Sequence, residues 1–114
     1  MHSETPQFFA SSLKAEDAGK SAELYADLFQ GKVIRSSLGH AEAIFSEKQT
    51  IVFSKETKDC PVSPGTSIWT ISEEGAESFS SRLLSSGFQK ESRSSQYISF
   101  LDPWGNRLWL YFKK

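Results

Sequence analysis

Few side chains in this sequence are suited to acid–base, nucleophilic or metal chemistry. There are two histidines, His2 and His40, and one cysteine, Cys60. Nucleophilic catalysis of the Ser-His-Asp or Cys-His kind needs a base within hydrogen-bond reach of the nucleophile. Neither histidine is placed for it: His2 sits at the terminus and His40 in a Leu38-Gly39-His40 turn signal. Cys60 precedes Pro61 in a polar loop, has no histidine near it in sequence, and reads as an unreactive loop thiol. A carboxylate-only cation site would have to draw on Glu42, Glu47 or Glu56, which read more simply as solvated surface groups. The distinctive residues are instead aromatic and cationic. Aromatics reach 13% of the chain, a high share. Arg107, Trp109 and Tyr111 alternate near the end, with Tyr97 and Lys14 as further candidates.

The elements that must position them follow from periodicity. Residues 8–15 read as a strand. Residues 17–29 carry Ala18, Ala22, Tyr25 and Phe29 at helical spacing behind the N-cap candidate Asp17. Gly31 is placed to stop that helix in a left-handed conformation. Three short strands follow at 33–37, 41–46 and 50–54. The polar stretch 55–65, with Pro61, Pro64 and Gly65, is the linker-like segment. The order then repeats: a strand at 66–72, a helix at 73–86 ended by Gly87, and strands at 88–93, 96–100 and 107–112. Asp102-Pro103-Trp104-Gly105-Asn106 forms the last turn, where Asp bonds its own backbone, Pro sets φ and Gly accepts a positive φ.

The pattern β-α-β-β-β thus occurs twice, in a module of about 7–54 and another of about 66–114. This is an α+β chain: two βαβββ modules forming a curved mixed sheet with a concave cleft. A chain of 114 residues is one domain's worth. The formal net charge of −1, without a run of Lys or Arg, argues against nucleic acid as a partner. Apolar stretches are strand-sized, so no membrane span is expected. The first residues lack the basic start and apolar run of a secretory signal, and a lone cysteine suits a reducing cytoplasm.

Three segments carry a family resemblance. Residues 100–110, Phe-Leu-Asp-Pro-Trp-Gly-Asn-Arg-Leu-Trp-Leu, resemble the closing signature of the glyoxalase/bleomycin-resistance (vicinal oxygen chelate) superfamily. Leu24-Tyr25-Ala26-Asp27-Leu28-Phe29 with Gly31-Lys32-Val33 is similar to its first-helix end, and residues 81–88 to its second. Metal-dependent members of that superfamily hold a divalent ion with His and Glu. The resemblance puts those positions near Ala10, near Val52 or Ser54, at Thr66 or Ser67, and at Trp109. None of these is a good divalent-metal ligand, so neither a metal nor another cofactor is expected.

Strand alternation selects the cleft-facing side chains. On the closing strand Leu108, Leu110 and Phe112 pack beneath helices, leaving Arg107, Trp109 and Tyr111 for the cleft. Phe8, Ala10, Ser12 and Lys14 share the ligand-side parity on the first strand. Thr66, Ile68 and Thr70 face inward on the second module's first strand, with Trp69 and Ile71 beneath a helix. Tyr97 and Ser99 complete the set. The expected ligand-binding residues are therefore Phe8, Ser12, Lys14, Thr66, Ile68, Tyr97, Arg107, Trp109 and Tyr111. Tyr97, Trp109 and Tyr111 would stack on a flat or apolar ligand, and Arg107 or Lys14 would hold an acidic group. The favoured function is metal-free small-molecule binding, of the kind the resemblance associates with bleomycin-resistance proteins, which are commonly homodimers. The alternatives are a glyoxalase-like enzyme (lyase or isomerase) without the His/Glu metal site, and an interaction domain with a vestigial cleft.

Overall fold

The structure, a computed structural model, describes residues 4–113; His2 lies outside them. The first module runs β1 (Ser11–Lys14), α1 (Ala18–Phe29), β2 (Lys32–Ser36), β3 (His40–Phe45) and β4 (Gln49–Ser54). The second runs β5 (Thr66–Ile71), α2 (Glu73–Ser85), β6 (Gln89–Arg93), β7 (Tyr97–Leu101) and β8 (Arg107–Phe112). Each module makes its own four-stranded mixed sheet, in the orders β1-β4-β3-β2 and β5-β8-β7-β6. In both, the first strand pairs in parallel with the last, because the helix carries the chain back over the sheet. This is the α+β, two-module architecture expected from the repeat, built from two mixed sheets.

Local chemistry accounts for the helix ends. The Asp17 carboxylate accepts from Lys20 N (3.1 Å) at the start of α1, and Ser72 Oγ from Gly75 N (3.0 Å) at the start of α2. At the end of α1 it is Gln30, not Gly31, that adopts the left-handed conformation (φ 56°). Gly31 is needed for space: a Cβ there would lie 2.5 Å from the Phe45 ring and 2.9 Å from Ile44 O. Gly87 (φ 94°) ends the second helical segment with a positive φ, and Gly105 (φ 88°) supplies the one the 102–106 turn needs. The first strand is shorter than alternation implied. It begins at Ser11, so Phe8 precedes it rather than belonging to it.

Both helices and one face of each sheet enclose a shared core. Leu13, Ala41, Ala43, Phe53, Ile98, Phe100, Leu108 and Leu110 are buried there. Aromatic contacts cross the module boundary: Phe29 of α1 stacks on Trp69 of β5 at 3.9 Å, and Tyr25 meets Phe88 at 5.9 Å.

The modules are also joined by a buried polar hub in the 102–106 turn. Asp102 Oδ1 accepts from the N–H groups of Trp104 and Asn106 (2.9 Å each). Its Oδ2 accepts from Tyr25 Oη (2.8 Å) and Asn106 Nδ2 (2.7 Å). Asn106 Oδ1 accepts from Lys14 N and Gly65 N (2.9 Å each), and Nδ2 also donates to Lys14 O (2.7 Å). Every lone pair and proton of that amide is used, which makes its orientation unambiguous. Burial chiefly, and then the Asp102 charge it bonds, push the Tyr25 phenol well above its ordinary range.

Two outcomes follow for stability. Asn106→Ala leaves three half-buried backbone groups without their partner and is expected to lower the unfolding free energy by about 3 kcal/mol, read from the urea midpoint at constant m-value. Because the folded phenol holds its proton more tightly than the unfolded one, its contribution is intact below pH ~10. Above that it is lost at about 1.4 kcal/mol per pH unit as the unfolded chain ionises. Urea titrations between pH 9 and 11 should show this loss in the native chain and not in Tyr25→Phe. Ser21, fully buried on α1, has an Oγ without a partner among the described residues. Ser21→Ala is therefore expected to raise stability by up to about 1 kcal/mol, read from the same midpoint.

Candidate functional site

The face of each sheet turned away from the helices is open. On the second sheet the in-register rows are Thr66–Arg107, Ile68–Trp109–Ser99 and Thr70–Tyr111–Tyr97. Cross-strand partners share a face, so Thr66, Ile68, Tyr97, Arg107, Trp109 and Tyr111 lie on one surface. Tyr97 and Trp109 stack with ring centroids 4.7 Å apart and planes 7° from parallel. Beside them Ile68 is 59% and Tyr111 40% exposed. The result is an aromatic platform accessible to solvent.

The cations around it are engaged. Arg107 Nε and Nη2 donate to the two carboxylate oxygens of Glu91 at 2.7 and 2.6 Å, a bidentate fork. Glu91 Oε1 also accepts from Ser99 Oγ (3.2 Å), which in turn bonds Ser92 Oγ (2.7 Å). The Arg107 hydrogen bonds hold the Glu91 carboxyl below its usual range, and Glu91 raises the Arg107 guanidinium. Lys14 likewise bonds Glu56 (3.0 Å). Arg107 and Lys14, read from the sequence as hooks for an acidic group, each already hold a carboxylate of their own chain.

The first sheet's open face is ionisable rather than aromatic. Ser12 and Lys14 share it with Val52, Ser54, His40 and Glu42. His40, which the sequence placed in a turn, is the first residue of β3. Its Nε2 lies 2.8 Å from Glu42 Oε2, and the Glu42 side chain is 13% exposed. The i, i+2 spacing of His40 and Glu42 on an alternating segment was the available signal for this pair.

A separate cleft of about 750 Å3 opens between the start of the first sheet and the edge of β5. Phe45, Ile51 and Trp69 line it, and three expected site residues, Phe8, Thr66 and Ile68, border it. Glu47 and Lys48 at its mouth both take left-handed backbone conformations (φ 57° and 61°), each costing roughly 1–3 kcal/mol in a non-glycine residue. The nine expected residues thus divide. Phe8 belongs to the cleft, Ser12 and Lys14 to the first sheet's face, and Tyr97, Arg107, Trp109 and Tyr111 to the platform. Thr66 and Ile68 touch both cleft and platform.

The geometry does not suit a divalent ion at the positions the superfamily uses. The positions that the resemblance assigns to metal ligands are Ala10, Val52 or Ser54, Thr66 or Ser67, and Trp109, and they offer hydroxyls at most, with no carboxylate or imidazole. Among the described residues no three His, Cys, Asp or Glu side chains come together. Glu42, Glu47 and Glu56 are not grouped: Glu42 bonds His40, Glu56 bonds Lys14, and Glu47 is at the cleft mouth.

No family model and no curated protein sequence matches the chain. Solved structures do. Protein ATC0852 from Agrobacterium tumefaciens superposes with a TM-score of 0.78 at 12% identity, over 95% of this chain and 99% of that one. The fosfomycin resistance protein FosX from Listeria monocytogenes, complexed with Mn(II) and sulfate, gives 0.73 at 14% identity over 97% and 93%. The integron cassette protein HFX_CASS4 from the mobile metagenome of the Halifax Harbour sewage outfall gives 0.69 at 16% identity over 96% and 100%. With FosX among the structures it matches, and with β-α-β-β-β twice in the observed strand orders, this chain has the two-module fold of the vicinal oxygen chelate proteins.

Proposed function

We propose that this protein binds a small flat ligand on the open face of its second sheet, without a metal ion. The observation that carries this reading is the stacked Tyr97–Trp109 pair, accessible to solvent beside Ile68 and Tyr111. A stacked aromatic pair on an exposed strand surface is a ready seat for another ring or an apolar plate. Its neighbours Thr66 and Thr70 offer hydroxyls to orient polar groups. Sequestration of the bleomycin-resistance type is the class of activity this arrangement fits. An acidic group on the ligand would compete with Glu91 for the Arg107 fork.

The same apolar strip suggests a homodimer, in which the partner covers part of the platform and forms one wall of the site. The exposed free Cys60 suits a reducing compartment, so we place the protein in the cytoplasm. One further reading rests on a specific observation. His40, held by Glu42, has the geometry of a base fixed by an orienting carboxylate. It would serve a metal-free lyase or isomerase.

Tryptophan emission during titration with aromatic and acidic small molecules tests the binding reading. Saturable quenching should be unchanged by EDTA, and Trp109→Ala should weaken it about tenfold. A response that requires added divalent metal would overturn the reading. Glu91→Gln, which frees Arg107, should tighten carboxylate-bearing ligands roughly three- to tenfold and leave neutral ones unchanged. Turnover of a bound compound that disappears in His40→Ala would favour the enzyme instead.

A further inference from the structure

The cleft between the sheets has the character of a missing piece of strand. β1 has four residues, whereas the strands on either side of it, β4 and β5, have six each. The β1–β4 ladder starts at Ser11–Ile51, so Gln49 and Thr50 are paired with β3 alone. β5 is paired with β8 alone. Two strand edges therefore flank the cleft, and unsatisfied edges invite a further strand. Immediately before β1 lie Phe8 and Phe9, which border the cleft yet are 86% and 66% exposed. Their apolar surface gains by burial.

The alternation within β1 says where they would go. Ala15 N–H donates to Ser54 O of β4 (2.9 Å), while the Lys14 N–H and C=O are taken by Asn106 on the opposite side. Odd-numbered backbone groups thus face β4 and even-numbered ones face β5. Continued toward the N-terminus, this sets Phe9 opposite Gln49, with its N–H toward Lys48 O and its C=O toward Thr50 N–H. Side chains alternate on the same period. Leu13, which is buried in the core, shares its face with Ser11 and hence with Phe9, so the Phe9 ring enters the cleft above Phe45, Ile51 and Trp69. Phe8 falls on the open face with Ala10 and Ser12.

We propose that residues 8–10 form a strap that zips onto the Gln49–Thr50 edge, lengthens β1 and plugs the cleft between the modules with Phe9. The cleft is then the seat of the chain's own N-terminal segment. The segment is tethered at Ser11, so closure orders only a few residues while burying an exposed aromatic ring. The device uses neither Tyr97 nor Trp109, so this proposal and the binding reading can fail separately.

Amide hydrogen exchange on the full chain, followed by NMR, tests it. The Phe9 and Thr50 amides should exchange at least tenfold more slowly than in an unstructured peptide, and the Phe8 amide should exchange freely. Phe9→Ala should remove the protection at Thr50, whereas Phe8→Ala should leave it in place. Both residues are exposed in the open form, so neither variant threatens folding. Peptide-like exchange at Phe9 and Thr50 in the native chain would overturn the proposal, as would equal effects of the two variants. Protection that grows with protein concentration would also overturn it, assigning the cleft to the segment of a second copy.

Discussion

The carboxylate of Asp102 and the amide of Asn106 hold together two sheets that share no backbone hydrogen bond among the described residues. Each module satisfies its own backbone ladder, so the placement of one against the other rests on side chains. Asn106 grips both backbone groups of Lys14 on β1 and the N–H of Gly65 before β5. Tyr25 reaches the same hub from α1. Such a network inside the protein is worth most when every member is satisfied, and here each donor and acceptor of the pair has a partner. The stacked and tilted rings of Phe29, Trp69, Phe79 and Phe88 add apolar contact around it. The Asp-Pro-Trp-Gly-Asn turn is therefore a structural joint, and the orientation of the two open faces depends on it.

Those faces differ in chemistry, although the modules repeat in topology. The first presents His40, Glu42, Lys14 and hydroxyls; the second presents Tyr97, Trp109, Tyr111 and Ile68. At the positions where the sequence resemblance expects His and Glu in metal-dependent proteins, this chain has Ala10, Val52 or Ser54, Thr66 or Ser67, and Trp109. Trp109 instead stacks on Tyr97. Three carboxylates on or beside these faces, Glu56, Glu42 and Glu91, are bound to Lys14, His40 and Arg107. On the proposed binding reading, this pairing makes Arg107 a conditional contact for acids. A ligand would gain its fork only by displacing Glu91, whose carboxyl is already stabilised in the charged form.

Much of the fold was legible in the order of residues. Helical spacing from Ala18 to Phe29 located α1, and alternation from Arg107 to Phe112 sorted buried Leu108 and Leu110 from outward Trp109 and Tyr111. Both signals are local, and a one-residue slip would reverse them. The misreadings were those in which a local signal met a distant neighbour. Gly31 reads as a left-handed stop, yet Gln30 takes that conformation because the Phe45 ring leaves Gly31 no room for a Cβ. Residues 8–10 carry strand-like alternation but stand outside β1, where the partner edge at Gln49 and Thr50 remains open.

The sequence by itself determined the element order, the alternation of faces along β5, β7 and β8 in the second module, and the scarcity of histidine for a metal set. These are set by residue type and by periods of two or 3.6, which need no knowledge of the partner. Only the tertiary structure decided which charges find each other. Arg107 with Glu91 and Lys14 with Glu56 lie 16 and 42 positions apart, and His40 meets Glu42 only because the turn ends one residue sooner than it reads. It also decided that the cleft between the sheets adjoins the aromatic platform at Thr66 and Ile68 without containing Tyr97 or Trp109. That arrangement comes from how two sheets meet through Asn106, a contact spanning 92 positions, and no local pattern encodes it.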